Sequence, residues 1–117
     1  MTPLTRSFKE IVKARIERDP AFRDALLREA IECFLQGDVE TGKSILRNFI
    51  NATIGFRRLG EVTQTQPKSL MRMFSETGNP RADNLFAVIS HLQTENGISL
   101  SVQSKSTKRP RKAAVKA

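Results

Sequence analysis

The sequence predicts an all-α protein, a compact helical bundle that contains a helix-turn-helix. Apolar residues recur at three- and four-residue intervals along most of the chain, helix-capping residues precede these runs, and strand-like alternation occurs only in GISLSV near the end. The 117 residues are enough for one domain with a modest core. Within it we assign residues 1–37 to N-terminal helices that pack on the core, 38–103 to the helix-turn-helix region and 104–117 to a disordered basic tail.

The first two helices are marked by residues typical of helix ends. SFKEIVKARIER opens with a capping box formed by Ser7 and Glu10. In DPAFRDALLREAIECFLQ, Asp19 is a good N-cap, Pro20 suits the first helical position, and Gly37 supplies the positive φ that commonly ends a helix. The predicted apolar face of this second helix consists of Phe22, Ala25, Leu26, Ala30, Cys33 and Phe34.

The segment GDVETGKS, from Gly37 to Ser44, fits the phosphate-binding pattern G-x-x-x-x-G-K-[ST]. A phosphate loop needs a buried strand before it, whereas here a helix precedes the pattern, and Asp38 and Glu40 fit the cap and first turn of another helix. The apolar stripe of that third helix is Val39, Ile45, Leu46, Phe49 and Ile50. We therefore expect Lys43 to lie inside a helix and the protein to bind no nucleotide. The alternative is a nucleotide-binding enzyme that uses residues 37–44.

Two short helices with a tight turn are predicted in the next segment. Their apolar residues are Phe56, Leu59 and Val62 in GFRRLGEVTQ, and Leu70, Met73 and Phe74 in PKSLMRMFSETG. We place Gly60 at the crossing of the two helices, because a residue without a side chain there lets the backbones approach closely. Gly78 ends the second of these helices and Pro80 prevents its continuation. The pattern predicts a helix-turn-helix.

One more helix and an extended segment complete the predicted domain. ADNLFAVISHLQ packs onto the core through Leu85, Val88, Ile89 and Leu92. In GISLSV, Ile98, Leu100 and Val102 alternate with small polar residues. This alternation fits either a short C-terminal strand or an extended segment without strand partners.

The second helix of the motif has a basic outer face. Burial of its apolar residues leaves Lys68, Ser69, Met71, Arg72 and Ser75 exposed. An α-helix fits the DNA major groove, where Arg or Lys can donate two hydrogen bonds to guanine, so we predict that Arg72 and Lys68 read bases. The residues predicted to hold phosphate are Gln66, Ser69, the N-terminal amides of this helix, and Arg57 and Arg58 on the preceding helix. The alternative is a helical hairpin with an ordinary solvated surface.

Charge and composition narrow the function classes. The net charge is +8, distributed as −1 over residues 1–40, +3 over 41–103 and +6 over 104–117. The tail is either a solvated extension or an arm that attracts nucleic acid through counterion release. Cys33 and His91 each lack a neighbour at metal-ligand spacing, so we expect no bound metal. Cys33 is expected to be a buried, inert thiol. Because the sequence shows no catalytic constellation, we expect neither a cofactor nor enzyme activity. Without a leader or an apolar run of bilayer length, we expect a cytoplasmic protein that does not enter membranes.

The order of these motifs is similar to that of the antidote proteins of bacterial addiction modules (HigA-like antitoxins), a lambda-repressor-like helix-turn-helix group. The similarity runs from about Asp19 to Val102. The segments that carry it are LLREAIECFLQGD, GFRRLGEVTQ, SLMRMFSETGNP and NLFAVISHL. Its most specific pieces are the Gly37-Asp38 pair, the Leu-x-Arg-x-Phe-x-x-x-Gly-Asn-Pro run from Leu70 to Pro80, and the Asn-Leu that follows. The family turn commonly has glycine where Gln64 stands here, and a residue with positive φ and a side chain costs on the order of 1 kcal/mol.

This resemblance implies an autoregulating transcriptional regulator, usually a homodimer, that binds operator double-stranded DNA and neutralises a RelE-like toxin encoded beside it. Lys68, Ser69 and Arg72 match groove-facing positions, with Met71 between them, and Asn79 matches a loop residue beside the DNA. A phage-type repressor without a toxin is the alternative within the same class. A structural adaptor whose basic tail contacts RNA or ribosomes is the alternative from another class.

Overall fold

A computed structural model of the chain describes residues 3–107. These residues form six α-helices and no strand. The helices are α1 (Pro3–Arg18), α2 (Pro20–Leu35), α3 (Val39–Ala52), α4 (Phe56–Thr63), α5 (Pro67–Met73) and α6 (Ala82–Asn96). The all-α prediction is therefore confirmed.

One hydrophobic core contains residues from each of the helices α2, α3, α4, α5 and α6. Its fully buried residues are Leu27, Ala30, Leu46, Phe49, Ile50, Leu59, Phe74 and Leu92. The ring centroids of Phe56 and Phe74 lie 6.4 Å apart. Leu27 was not on the predicted apolar face of α2. That helix packs against both α1 and α3, so its buried surface is wider than the single stripe that the sequence pattern indicated.

The helix ends follow the predicted chemistry in α2 and α3 but not in α1. The carboxylate of Asp19 accepts from the Phe22 amide at 3.2 Å, and that of Asp38 accepts from the Thr41 amide at 3.3 Å, so both N-caps are confirmed. Gly37 has the expected positive φ of 85°. In contrast α1 begins at Pro3, so Ser7 lies inside the helix and is not its cap. Proline tolerates the first helical turn, which allows the earlier start.

The connection between α4 and α5 consists of residues 64–66. Gln64 is the one residue other than glycine in the described chain with positive φ, at 56°. Its amide donates to carbonyls of the last turn of α4, so it ends the helix as a left-handed cap. Gly60 permits the tight return, since a Cβ added there would lie 2.6 Å from the Thr65 carbonyl oxygen. The predicted close approach at Gly60 is thus confirmed.

The chain after α6 forms no helix or strand within the described residues. Gly97 ends the helix with φ of 66°, and the Leu100 amide donates to the Gln93 side-chain oxygen at 2.7 Å. Ile98 and Leu100 pack against the core, whereas residues 101–107 are exposed. The strand alternative is wrong because the Leu100 amide is bound by a side chain and no partner strand lies beside it. Residues 108–117 of the predicted tail lie outside the described part.

Within residues 3–107, no helix has the length and apolar character needed to cross a bilayer.

Candidate nucleic-acid interface

Helix α5 has one buried and one exposed side. Leu70 and Phe74 are at most 1% exposed and fix which side faces the core. Lys68, Met71 and Arg72 are exposed on the other side, as the sequence predicted. The predicted exposure of Ser69 and Ser75 is only partly correct, because both are half-buried. Helix α5 therefore presents two cations and a thioether to solvent.

Helix α4 carries two further exposed cations. Arg57 and Arg58 are exposed in its first turn, and α4 packs directly against α5. Gln66 is exposed as the N-cap residue of α5, and its side chain makes no cap hydrogen bond. Glu61, one turn beyond Arg57, is also exposed, so the surface of α4 is less uniformly basic than that of α5.

The four cations of α4 and α5 are unpaired within the described part of the chain. Within residues 3–107, no ion pair or hydrogen bond engages the ammonium of Lys68 or the guanidinium groups of Arg57, Arg58 and Arg72. Other cations do have partners: Arg15 binds Asp19 at 3.0 Å and Arg23 binds Asp24 at 3.0 Å. Lys13, Arg18, Arg28 and Lys105 also lack such partners within the described residues. The four cations are therefore distinguished by their position on α4 and α5, where the sequence predicted contact with a polyanion.

A shallow pocket at the C-terminal end of α5 brings several predicted residues together. Ser69 and Arg72 line it from the helix, and Thr77, Gly78 and Asn79 line it from the following loop. Asn79 is exposed and stands beside the basic face of α5, although seven positions separate it from Arg72. Ser69, Arg72 and Asn79, which are three of the predicted site residues, therefore line one surface.

Two exposed polar residues beside Asn79 were not among the predicted site residues. Thr77 lines the pocket, and Arg81 is exposed, with Nε 3.5 Å from the carboxylate of Asp83. Both side chains of that ion pair are at least 70% exposed, and such surface pairs are weak, so Arg81 is available to an anion. In the sequence, the signal that could have identified Arg81 is its position, since it is a cation two residues after the predicted site residue Asn79.

The N-terminal end of α5 offers less to an anion than predicted. Pro67 has no amide hydrogen, and the Ser69 amide already donates to the Gln66 carbonyl at 2.9 Å. The polar groups that this end offers are therefore the side chains of Gln66, Lys68 and Ser69 more than backbone amides.

The GDVETGKS segment has none of the geometry of a phosphate loop. It is the junction between α2 and α3, and its last six residues are helical. A Cβ at Gly42 would lie 2.8 Å from the Phe34 ring, so this glycine serves helix packing. Lys43 is 2% exposed, and its Nζ donates to the carbonyls of Ser75 at 3.0 Å and Gly78 at 2.6 Å. Its ammonium is therefore bound by the protein itself.

The remaining candidates for chemistry lie away from this surface. Cys33 is buried as predicted, and burial raises the pKa of its thiol above the ordinary value. His91 is half-buried on α6. In the described part of the chain no three His, Cys, Asp or Glu side chains are grouped so that they could hold a metal ion.

Comparisons with protein-family models, curated proteins and solved structures found no match to the chain. The class that the residues themselves define is a small helical protein with a basic surface on two consecutive short helices.

Proposed function

We propose that this protein is a sequence-specific DNA-binding regulator in which α4 and α5 form a lambda-repressor-like helix-turn-helix. In this proposal α5 enters the major groove, where Arg72 and Lys68 contact base edges and Met71 contacts apolar groups between them. Arg57, Arg58, Gln66, Ser69 and Asn79 bind the phosphates on either side. The protein needs no cofactor for this role and performs no catalysis.

The observation that carries the proposal is the set of unpaired cations on α4 and α5. Exposed cations usually gain little from a partner on the same surface, but four unpaired cations on two short helices that pack together favour binding of a polyanion. Their position matters as much as their charge. Because the buried Leu70 and Phe74 fix the rotation of α5, Lys68 and Arg72 project from the one side that a groove could accept.

We further propose that the regulator is the homodimeric antitoxin of a type II toxin-antitoxin module with a RelE-like toxin. The motif order from about Asp19 to Val102 supports this part of the proposal. A neighbouring gene for a basic protein of roughly antitoxin size, whose product copurifies with this chain, is the expected result. If no such gene lies beside it, a phage-type repressor without a toxin replaces the antitoxin.

The DNA-binding proposal is tested by replacing Arg72. An operator is first selected from a random duplex library with the wild-type protein, and affinities for it and for random duplex are then measured at one fixed salt concentration. We expect Arg72→Ala to cost about 1 to 3 kcal/mol on the operator and much less on random duplex, because a base contact carries discrimination and a phosphate contact does not.

Arg28→Ala is the matched control. It removes the same charge from an exposed position on α2, away from α4 and α5. We expect it to change both affinities slightly and equally. Equal weakening of both duplexes by Arg72→Ala would make Arg72 a phosphate ligand, and failure of the wild-type protein to select any sequence would refute the proposed function.

A further inference from the structure

Lys43 is a cation buried at the centre of a cluster of backbone carbonyls. Its Nζ donates to Ser75 and Gly78 and lies 3.4 Å from the Glu76 carbonyl, and the exposed carboxylate of Glu40 is 3.3 Å away. An ammonium is costly to remove from water unless hydrogen bonds replace its hydration. Lys43 is therefore held in place by the loop after α5, and the loop is held by Lys43.

Arg47 extends the same arrangement by one turn of α3. Its Nη1 donates to the Phe74 carbonyl at 2.6 Å. The last carbonyls of a helix have no partner within the helix, and cations are favourable at this end because of the helix dipole. Two side chains of α3 thus bind the carbonyls that follow the end of α5, and we call Lys43 and Arg47 the α3 clamp.

The α3 clamp lies where α5 ends earlier than predicted. The sequence pattern predicted that Gly78 ends this helix, but α5 ends at Met73, with Phe74 as its C-cap. Gly78 instead lies under the end of the helix, where an added Cβ would lie 2.8 Å from the Met73 carbonyl oxygen. The loop folds back onto α5, so that residues 74–78 turn toward α3.

A helix of seven residues depends on such external contacts. Helices this short are unstable by themselves, so the orientation of α5 is set by the elements that it contacts. Buried Leu70 and Phe74 fix its rotation, whereas the α3 clamp fixes its C-terminal end and the start of the loop that carries Asn79.

We propose that Lys43 and Arg47 are positioning residues for DNA recognition, which set the orientation of α5 and Asn79 and thereby the preference for operator over random DNA. The proposal rests on the proposed function. Lys43 is too deeply buried to touch DNA, so its effect must pass through Arg72 and the loop. Hydrogen bonds to base edges require a defined orientation, whereas attraction to phosphates tolerates small displacements.

The test compares the variants Lys43→Met and Arg47→Met with three control variants of the same chain. Arg47→Lys keeps a cationic donor at the same place, Ser44→Ala changes α3 between the two clamp residues, and Arg28→Met removes one positive charge elsewhere. The first measurement is amide hydrogen exchange over residues 74–79, which requires no DNA. The second is the ratio of affinities for the duplex selected by the wild-type protein and for random duplex, at one salt concentration.

We expect both Met variants to exchange faster over residues 74–79 than the wild-type protein. Their operator preference should fall by about tenfold or more, which is the loss of one base contact, while affinity for random duplex falls no further than in Arg28→Met. Arg47→Lys should keep most of the preference, and Ser44→Ala should resemble the wild type. If Lys43→Met does not fold, Arg47→Met at its half-buried position decides the result.

Two results would overturn the positioning role alone. One is unchanged exchange over residues 74–79 in Arg47→Met, and the other is faster exchange with an unchanged operator preference. A wild-type protein that selects no sequence overturns the proposed function and the positioning role together, while the exchange measurement still reports whether the clamp holds the loop.

Discussion

Replacing Gln64 by glycine is expected to make the protein more stable. Gln64 has φ of 56° and ψ of 44°, a left-handed conformation that costs a residue with a Cβ roughly 1 to 2 kcal/mol. Glycine removes this cost but loses more backbone entropy on folding, roughly 0.5 to 1 kcal/mol. The difference between the midpoints of these two ranges predicts that Gln64→Gly raises the free energy of unfolding by about 0.75 kcal/mol and Tm by about 2 to 5 °C.

Gln36→Gly is the matched control for this change. Gln36 is also an exposed glutamine at a helix C-cap, but its φ of −87° is a right-handed conformation that carries no strain. Only the entropic effect of glycine remains there, so Gln36→Gly should lower the free energy of unfolding by about 0.5 to 1 kcal/mol.

Both variants are compared with the wild type by urea unfolding followed by far-UV circular dichroism, since the chain has neither Trp nor Tyr for fluorescence. The two substitutions should shift the transition in opposite directions. If they shift it in the same direction, the backbone strain assigned to Gln64 is refuted.

Two further predictions concern the α4–α5 turn and the start of α2. Gly60→Ala should lower the free energy of unfolding by about 1 to 3 kcal/mol in the same urea assay, because its Cβ would lie 2.6 Å from the Thr65 carbonyl oxygen; an unchanged midpoint would contradict that packing. The Phe22 amide, and to a smaller extent the Arg15 guanidinium, hold the pKa of Asp19 below its ordinary value in the folded protein. The charged carboxylate therefore stabilises the fold fully above the pKa that Asp19 has in the unfolded chain. This stabilisation is lost as the pH falls through the lower pKa of the folded protein. Asp19→Asn keeps the cap acceptor, so the stability difference from wild type should be full near neutral pH and shrink below about pH 4; a difference independent of pH would refute the charge effect.

Most of the secondary structure was predictable from the sequence because its signals are local. Asp19 and Asp38 cap helices through amides three residues away, and Gly37 accommodates its own positive φ. Apolar spacing also identified the buried side of α5 from Leu70 and Phe74. The exposure of Lys68 and Arg72 then followed, since the other side of an amphipathic helix faces solvent.

Long-range contacts decided what local signals could not. The carbonyl partners of Lys43 lie 32 to 35 residues away, and only the fold brings them to its ammonium. In the sequence the same lysine belongs to a phosphate-binding pattern. The early end of α5, the place of Gly78 beneath it and the full burial of Leu27 also depend on neighbouring elements. The sequence by itself determined the helices and their polar faces, because caps and periodicity act within a few residues. Tertiary structure alone determined that Lys43 and Arg47 bind backbone carbonyls inside the protein, because those partners come from distant parts of the chain.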